Sequence, residues 1–528
     1  MGRNALRPYP ESAAPYAGAV NRARHFFLAI LALAALALGG CADEDVAPAA
    51  PSPRSGPPMP AQTTGATVLP STVAVPGEAK SWVAVAHPRR DVYELSVEDV
   101  RRVVAGEVRD WGDLGGARAA IEVFVPAEDV ADLAAVLGVP VERIRARRLE
   151  GGALIEAVRA SAGGFSLVRP EALTPAVLAL VVEGHDPLGD PASTSPLRTA
   201  GGGPGFDPVL VVSPGEILPV RCANAALEAH GDFGAMFEDV RPLLERADVA
   251  IGGLDTPLTD VSPPTPCERT FVLQGGPRAA EAIAAAGIDV LFVNGNHMLD
   301  CWLPCPPYSA LRDTLSRLHG LGVATAGAGE NAREARQPHI VEVGPVRLAF
   351  LAYDEIAPWN WATATTPGTA PLRPEVVVED VRAAKAVADI VIVGMSWGIE
   401  YTSDPTSNQR ALAAAAVEAG ASLVVGNHPH VVQAIEARSN QSGEALVVYA
   451  QGNYLFDQSW SVPTTQAVLL QAGFLDGRLI GYRLRPVVTR ANSELFRGLF
   501  RPELVPPGGE EGRAILGRVW AAQDRLSR

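Results

Sequence analysis

Short apolar runs alternate with helix-like segments from about residue 208 to about residue 500 of the chain. The intervening segments, such as PRAAEAIAAAG and NQRALAAAAVEAG, have the spacing of amphipathic or buried helices. Continuous apolar runs that alternate with helices are typical of buried, mostly parallel strands, so the pattern predicts a layered α/β fold. The runs are DPVLVVS (207–213), ADVAIGG (247–253), IDVLFVNG (288–295), VRLAFLAY (346–353), ADIVIVGMS (388–396), ASLVVG (421–426) and ALVVYAQG (445–452).

A different pattern follows these runs. The stretch TQAVLLQAGFLDGRLIGYRLRPVVTR carries Asp476 and Gly477 between two long apolar segments. An Asp-Gly pair at such a place favours a tight turn between antiparallel strands. The sequence therefore predicts a hairpin and, with it, a second, mixed sheet.

The segment before the apolar runs, residues 79–198, has its own α/β pattern. Candidate strands are SWVAVA, IEVFVP and FSLVRP, and candidate helices are SVEDVRRVVAG and LIEAVRASAG. The Gly-rich break TAGGGPG follows, so we predict a small domain at 79–198, a linker at 199–206, a larger domain at 207–500 and a C-terminal tail with a helix at 501–528.

The N-terminal 78 residues lack this periodicity. Residues 26–40, FFLAILALAALALGG, follow basic residues and end in small residues before Cys41, which is the order of an export signal. The LGGC ending resembles a bacterial lipoprotein signal, in which the cysteine is lipidated. An uncleaved membrane anchor is the alternative, although the run is shorter than the roughly 20 residues of a spanning helix. We therefore predict a signal at 1–40, a Pro/Ala-rich tether at 41–78, and a mature protein that is lipid-anchored to the membrane in the cell envelope, outside the cytoplasm.

Composition narrows the set of partners. The 528-residue chain has a formal net charge of -15, and the binding of nucleic acid depends largely on Lys and Arg that neutralise phosphates. We therefore expect no nucleic-acid partner.

Four cysteines besides Cys41 remain: Cys222, Cys267, Cys301 and Cys305. An even number of cysteines in an oxidising compartment favours disulfides, and four cysteines allow three pairings that the sequence leaves open. A zinc site at Cys301 and Cys305 is the rival hypothesis, but no second closely spaced pair accompanies these two residues.

Polar residues follow most of the apolar runs. In open α/β sheets, ligands bind outside the carboxyl ends of the strands, where these loops meet. The loops are PGE (214–216), LDTPLTD (254–260), NGNHMLD (294–300), SWGIEY (396–401), NHPHV (427–431) and QGNYLFDQ (451–458).

Several of these loops carry a carboxylate, an amide or an imidazole. Such mixed donors suit Mn, Fe or Zn, and two such ions can hold both oxygens of a hydrolysis reaction. Each residue also has a plain structural explanation: Asn296 and His297 could cap a turn, Asp255 could belong to a turn, and His428 could be a hydrogen-bonded strand end. Their recurrence after separate strands favours one shared polar site.

The ordered motifs of this region carry a family resemblance. ADVAIGGLDTPLT, AGIDVLFVNGNHMLDCW, WGIEYTSDPTSNQRALAAAAVEAGASLVVGNHPHVVQ and VVYAQGNYLFDQ together resemble the CapA family of bacterial capsule and poly-γ-glutamate proteins, over about residues 208–470. The resemblance implies a four-layer α/β-β/α sandwich of the metallophosphoesterase-like class. In that wider superfamily GNH and HxH segments supply metal ligands, which correspond here to Asn296, His297, His428 and His430.

The chain also departs from the family pattern. Glu216 stands where the family usually has Asp, and Asp255 stands where it has Glu. Ser396 replaces the His of a His-Trp-Gly motif, and Asn427 stands where a further His is frequent. The carboxylate exchanges keep the donor type, whereas a hydroxyl is a poor substitute for imidazole at a transition metal.

The small N-terminal domain has a resemblance of its own. SVEDVRRVVAGEVRDWGDLGG, IEVFVP and GGFSLVRPEAL are similar to one lobe of the periplasmic phosphate-binding proteins. The Ser/Thr/Gly-rich loop that cradles phosphate is not recognisable in this segment, which favours a structural or polymer-docking module over a phosphate sensor.

These observations lead to two main hypotheses. In the first, an exported lipoprotein of the CapA type synthesises, attaches or trims a surface polymer, and its metal-dependent hydrolase site uses His428 or His430 as general acid. One or two divalent ions would bind the following residues: Glu216, Asp255, Asn296, His297, His428 and His430. In the second hypothesis, the protein is a non-catalytic binding or scaffold protein with a degenerate site.

Overall fold

The computed structural model describes residues 79–200, 206–268, 270–440, 443–491 and 500–526. The predicted export signal, Cys41 and the predicted tether lie outside the described residues. Within the described part of the chain, no helix has the length and apolar character that a membrane crossing requires.

Residues 79–198 form an α/β module around a five-stranded sheet with the order β4-β3-β5-β1-β6. Strand β3 runs parallel to β4 and β5, and β1 runs antiparallel to β5 and β6. Helix α1 begins at a capping box in which Ser96 and Asp99 satisfy each other's backbone N–H groups. The elements are β1 (Val83–Ala86), β2 (Glu94–Leu95), α1 (Val97–Val104), β3 (Glu122–Pro126), α2 (Val130–Leu137), β4 (Arg147–Leu149), α3 (Ala153–Ala160), β5 (Gly164–Val168), β6 (Leu178–Ala179) and β7 (Val181–Val182).

The larger part of the chain contains all seven predicted apolar runs as strands. Its strands are β8 (Val209–Ser213), β9 (Glu216–Ile217), β10 (Val249–Leu254), β11 (Val290–Phe292), β12 (Ala324–Ala326), β13 (Ala328–Gly329), β14 (His339–Val343), β15 (Val346–Asp354), β16 (Gly368–Thr369), β17 (Ile390–Ser396), β18 (Leu423–Asn427), β19 (Ile435–Asn440), β20 (Gly443–Val448), β21 (Asn453–Leu455), β22 (Gln466–Leu475), β23 (Arg478–Ala491) and β24 (Phe500–Leu504). Its helices are α4 (Arg221–His230), α5 (Arg241–Leu244), α6 (Pro277–Ala285), α7 (Ser309–Gly320), α8 (Ala332–Ala335), α9 (Pro374–Lys385), α10 (Ser407–Ala419) and α11 (Glu510–Leu526).

These strands form two mixed sheets. Among the described residues, the first sheet has nine strands in the order β12-β11-β10-β8-β22-β23-β24, with β9 and β21 paired beside β10. The second has six strands in the order β14-β15-β17-β18-β20-β19. The strands β8 to β12 run parallel in the first sheet, and β15, β17, β18 and β20 run parallel in the second.

The two sheets face each other between two layers of helices. The core between the sheets contains Ile251 and Phe292 from the first sheet and Phe350 and Ile392 from the second. The opposite face of the first sheet packs on α4, α6 and α7, and the opposite face of the second packs on α9 and α10. Apolar residues on both faces of each strand explain why the runs are continuous rather than alternating. The four-layer α/β-β/α order confirms the predicted fold class.

The predicted hairpin is present, with β22 and β23 antiparallel. Asp476 and Gly477 at its turn have φ of 50° and 74°, as a tight turn of this kind requires. Strand β22 pairs with β8, so the hairpin extends the first sheet. In the second sheet, β14 runs antiparallel to β15 and β19 runs antiparallel to β20. The sequence pattern showed the hairpin but not the sheet that it joins.

The N-terminal module is bonded to this hairpin. Arg483 on β23 is fully buried and donates to Asp186 Oδ2 at 2.7 Å and to the carbonyl of Ala179 at 2.7 Å. Tyr93 donates from its hydroxyl to the carbonyl of Leu484 at 2.8 Å. These buried hydrogen bonds join the module to the hairpin of the larger domain.

The four cysteines form two disulfides, Cys222–Cys267 and Cys301–Cys305. This result selects one of the three pairings that the sequence allowed. The pairing of Cys301 with Cys305 contradicts the alternative of a zinc site at these residues, because both thiolates are used in the bond.

Candidate functional site

The six predicted site residues meet where the carboxyl edges of the two sheets come together. Glu216 lies on β9, and Asp255 directly follows β10. Asn296 and His297 lie in the loop after β11, and His428 and His430 lie in the loop after β18. The first four residues come from the nine-stranded sheet and the two histidines from the six-stranded sheet.

A continuous series of contacts joins these residues. The backbone N–H of His297 donates to Asp255 Oδ1 at 2.9 Å, and the neighbouring Asn296 places Oδ1 at 3.1 Å from His428 Nδ1. The His428 and His430 rings are 5.8 Å apart between centroids. His430 Nδ1 in turn lies 3.2 Å from Glu216 Oε2. All six predicted residues are therefore brought into one polar cluster.

The backbone of the NHPH loop is unusual at both histidines. His428 and His430 have φ of 91° and 58°, in the left-handed region that non-glycine residues rarely adopt. Tyr401 N–H donates to the carbonyl of Pro429 at 2.8 Å and so ties this loop to the one after β17. Backbone strain of this kind is concentrated at functional sites, where surrounding contacts maintain it.

Two glycines allow the close packing of the site. A Cβ atom on Gly295 would lie 1.7 Å from Asp255 Oδ1, and one on Gly253 would lie 2.2 Å from Asn427 Nδ2. Neither neighbour could remain in place beside a side chain. The second Gly of ADVAIGG and the Gly of GNH are therefore required by the close approach of Asn427 and Asp255.

Burial and neighbouring charges shift the pKa values of the carboxyl and imidazole groups of the site. Burial raises the pKa of Asp255 to about 7. Burial alone would lower the pKa of His430, but the charge and hydrogen bond of Glu216 outweigh it and raise that pKa to about 9. Burial lowers the pKa of His428 to about 3, with a further contribution from His430. His428 is therefore neutral at physiological pH, which is the form that binds a metal.

The donor set fits a divalent metal ion. Asp255 Oδ2 is buried and has no hydrogen-bond partner, and a buried carboxylate oxygen without a partner is costly unless a cation or proton reaches it. Glu400, His428 and His430 also place one ligand atom each within 4.8 Å of one another. Carboxylate oxygens and imidazole nitrogens together suit Mn, Zn or Fe.

Three residues of this site were missed at the sequence level. Glu400 follows β17 in the SWGIEY loop, Asp300 accepts from His297 Nδ1 at 2.7 Å, and Asn453 Oδ1 lies 2.8 Å from His430 Nδ1. A carboxylate or amide behind a histidine orients the ring toward a metal. These residues lie in loops that the sequence predicts to surround the site, but no local pattern distinguishes these positions from the other polar residues of the loops.

Ser396 and Asn427 occupy the end of adjacent strands. Ser396 on β17 pairs in register with Asn427 on β18 and with Asp354 on β15, and it is buried. The Asn427 Oδ1 atom is buried without a hydrogen-bond partner. This edge of the site thus has a hydroxyl and an amide where the resemblance implied imidazoles. Trp397 lies in the core and donates to the carbonyl of Tyr449 at 2.8 Å.

The fold and the site together define a four-layer α/β-β/α sandwich with a carboxylate and histidine cluster where its two sheets meet. Residues 211–458 match the model of the family described as bacterial capsule synthesis protein PGA_cap. The chain is 30% identical over 259 residues to the PGA biosynthesis protein CapA of Bacillus subtilis (strain 168), a match that covers 49% of this chain and 65% of that protein. The chain thus spans less than two thirds of that relative's length.

Two solved structures are also similar. The NAD nucleotidase of Haemophilus influenzae has 12% sequence identity and a TM-score of 0.34, with 60% of this chain and 56% of that chain covered. An ABC-type phosphate transport receptor from Vibrio cholerae has 15% identity and a TM-score of 0.19, with 21% of this chain and 49% of that chain covered.

Proposed function

We propose that this protein is an exported lipoprotein that acts in the synthesis, attachment or trimming of a capsule or poly-γ-glutamate polymer. Its family match over residues 211–458 and the capsule and PGA names of the family and of its Bacillus relative support this role. The predicted lipidation at Cys41 supports a place in the cell envelope, with the polymer and the membrane as its partners. The net charge of -15 supports the absence of a nucleic-acid partner.

The single observation that carries the chemistry is the buried, unpartnered Asp255 Oδ2 atom at the centre of a carboxylate and histidine cluster. Glu216, Asp255, His297, Glu400, His428 and His430 are the residues that would hold a divalent ion. Such an ion supplies a Lewis acid and an activated water for hydrolysis of an ester or amide bond.

The remaining residues position this set. Asp300 fixes the ring of His297 through Nδ1, and Asn453 fixes the ring of His430 through Nδ1. Asn296 Oδ1 is the partner of His428 Nδ1, which leaves the other ring nitrogen of His428 for a ligand or a proton. His430, whose contact with Glu216 favours the protonated ring, is the residue that can deliver a proton to a leaving group as general acid, whereas the neutral His428 is suited to bind the ion.

Metal content tests this proposal. The purified protein, as isolated and after incubation with Mn²⁺ or Zn²⁺, is expected to carry one or two equivalents of metal, and His430→Ala is expected to lose most of it. Arg438→Ala, a change on β19 away from the site, is the matched control. A protein that neither contains nor accepts stoichiometric transition metal contradicts the hydrolase proposal.

A second candidate function is a non-catalytic polymer-binding or scaffold protein. It is favoured by Ser396 and Asn427, which place a hydroxyl and an amide on one side of the site. The two candidates differ in turnover: a scaffold binds the polymer without shortening it, even when the site is loaded with Mn²⁺. Size-exclusion chromatography of poly-γ-glutamate or capsule polymer before and after incubation distinguishes them.

The N-terminal module fits a structural or polymer-docking role better than a sensor role. The buried bonds from Arg483 to Asp186 and Ala179 join the module to the hairpin of the larger domain, which supports a structural role. Calorimetric titration of the protein with inorganic phosphate is expected to give no binding heat. A measurable phosphate affinity that is lost on substitution within residues 79–198 would restore the sensor hypothesis.

A further inference from the structure

A chain of hydrogen-bonded side chains lies behind the ring of His430. Asn453 places Oδ1 at 2.8 Å from His430 Nδ1. Its Nδ2 atom donates to the carbonyl of Thr464 at 2.9 Å and to Gln458 Oε1 at 3.2 Å. Gln458 Nε2 in turn donates to the Tyr401 hydroxyl at 3.0 Å. Asn453, Gln458 and Thr464 are buried, so their polar groups depend on these partners rather than on water.

The donors and acceptors of this chain can be arranged in only one direction. The Thr464 carbonyl only accepts, so the Asn453 amide turns Nδ2 toward it and Oδ1 toward His430. His430 Nδ1 therefore donates, and Nε2 is the ring nitrogen that can bind an ion or hold a transferred proton. Gln458 accepts from Asn453 through Oε1, so its Nε2 atom faces the Tyr401 oxygen. The Tyr401 hydroxyl accepts this bond and keeps its own hydrogen for another partner.

Glu400 is the partner that this hydrogen reaches. Burial raises the pKa of Tyr401, and the charge of Glu400 and a side-chain hydrogen bond with it raise that pKa further. Glu400 also places an oxygen within 4.8 Å of ligand nitrogens of His428 and His430, and it is the exposed member of that group. Holding an exposed glutamate in one conformation costs side-chain entropy, so a second contact is needed to keep it at the site.

Tyr401 itself is fixed at its ring and at its backbone. The ring stacks on the His430 ring with centroids 6.1 Å apart, and the Trp460 ring meets it edge-on at 5.9 Å. The backbone N–H donates to the carbonyl of Pro429 at 2.8 Å, and φ is 61°, in the left-handed region. The hydroxyl therefore has a defined position next to both Gln458 and the exposed carboxylate.

We propose that Tyr401 is a positioning residue that holds the Glu400 carboxylate in place to bind the divalent ion. This inference rests on the proposed function, because it assigns a task toward the ion of that site. Tyr401 does not touch the ion: its hydroxyl donates to one oxygen of Glu400 and leaves the other oxygen for the ion. The chain that begins at the Thr464 carbonyl gives this donation its direction and also orients His430, so one support serves both groups.

Calorimetric titration of the full-length protein with Mn²⁺ tests this role. Tyr401→Phe removes the hydroxyl and keeps the ring, and it should weaken Mn²⁺ binding about 10- to 100-fold, as loss of a partner that orients a ligand does. Glu400→Ala should also weaken binding. Tyr401→Phe should have no further effect in the Glu400→Ala protein, because Tyr401 acts through Glu400. The visible absorption of the Co²⁺-loaded protein should change in the same way in the two single variants, since both lose the same ligand.

Tyr449→Phe is the matched control, since the Tyr449 hydroxyl donates at 3.0 Å to Glu436 on β19, another bond between a tyrosine and a carboxylate. This variant should bind Mn²⁺ as the unaltered protein does.

The possible failures of the two proposals are distinguishable. The inference is overturned by an unchanged affinity in Tyr401→Phe or in Glu400→Ala, or by an equal loss in Tyr449→Phe. It is also overturned if Tyr401→Phe weakens binding as much in the Glu400→Ala protein as in the unaltered one. In each of these cases the unaltered protein still binds metal, so the hydrolase proposal stands. Absence of metal binding by the unaltered protein rejects the hydrolase proposal and, with it, any role of Tyr401 toward an ion.

Discussion

His430 Nδ1 lies 3.2 Å from Glu216 Oε2, and this contact joins the end of the six-stranded sheet to the nine-stranded sheet. Both side chains are at least 95% buried, and Glu216 is the main charge partner of His430 in the metal-free protein. The same two residues are candidate metal ligands. The contact therefore links the stability of the interface between the sheets to the state of the site.

Glu216→Gln should destabilise the metal-free protein by about 3 kcal/mol, because it leaves His430 buried without its charge partner. Urea unfolding in the presence of a chelator measures this change. Glu503→Gln, at the half-exposed pair with Arg490, is the control and should cost no more than about 1 kcal/mol. Equal costs for the two variants would show that the contact between Glu216 and His430 does not stabilise the fold.

Gly295→Ala should disrupt the site, because the added Cβ would lie 1.7 Å from Asp255 Oδ1. We expect a loss of about 2 kcal/mol in unfolding free energy and a large loss of Mn²⁺ affinity, measured by urea unfolding and calorimetry. Gly320→Ala at the end of α7 is the matched control, since a Cβ there meets nothing within 4 Å. It should be neutral or stabilise by up to about 1 kcal/mol. Unchanged metal binding in Gly295→Ala would mean that Asp255 is not a ligand.

Asp300→Asn should weaken metal binding without unfolding the protein. The carboxylate of Asp300 orients His297 through a 2.7 Å contact with Nδ1, and loss of such an orienting partner lowers metal affinity about 10- to 100-fold. Competition with a coloured chelator gives the affinity, and circular dichroism checks the fold. Asp260→Asn, at an exposed carboxylate in the loop after β10, should retain full affinity. An affinity unchanged by Asp300→Asn would remove His297 from the ligand set.

The two disulfides should contribute unequally to stability. Cys222–Cys267 spans 45 positions of sequence and Cys301–Cys305 spans 4. In the chain-entropy account, loss of the first costs about 4 kcal/mol and loss of the second about 2 kcal/mol. Paired Cys→Ser variants compared by urea unfolding measure both values. A greater cost for the short loop would show that local strain or packing, rather than chain entropy, controls the effect.

Much of the fold could be predicted because the strands are buried on both faces. Each of the seven apolar runs became a strand, and the Asp476 and Gly477 turn formed where the sequence placed it. The edge at which Glu216, Asp255, His297 and His430 meet was also predictable, since parallel strands deliver their following loops to one side. These inferences need only local periodicity and the direction of the strands.

Other features depend on the conformation of single loops. Glu400 and Asp300 reach the histidines because their loops turn inward, and a sequence of polar loop residues does not indicate which side chain does so. The left-handed backbone at His428 and His430 is likewise imposed by contacts from other loops. The pairing of β22 with β8 and the pairing of Cys222 with Cys267 are long-range contacts with no local signal.

The most direct test of the central claim is a crystal structure of the protein soaked in Mn²⁺, with anomalous diffraction to locate the ion. The account predicts an anomalous peak within about 2.0–2.3 Å of Asp255 Oδ2 and of a ring nitrogen of His428 or His430. A well-ordered cluster with no peak at this position, while Asp255 Oδ2 stays without a cation, would contradict a metal centre between the two sheets.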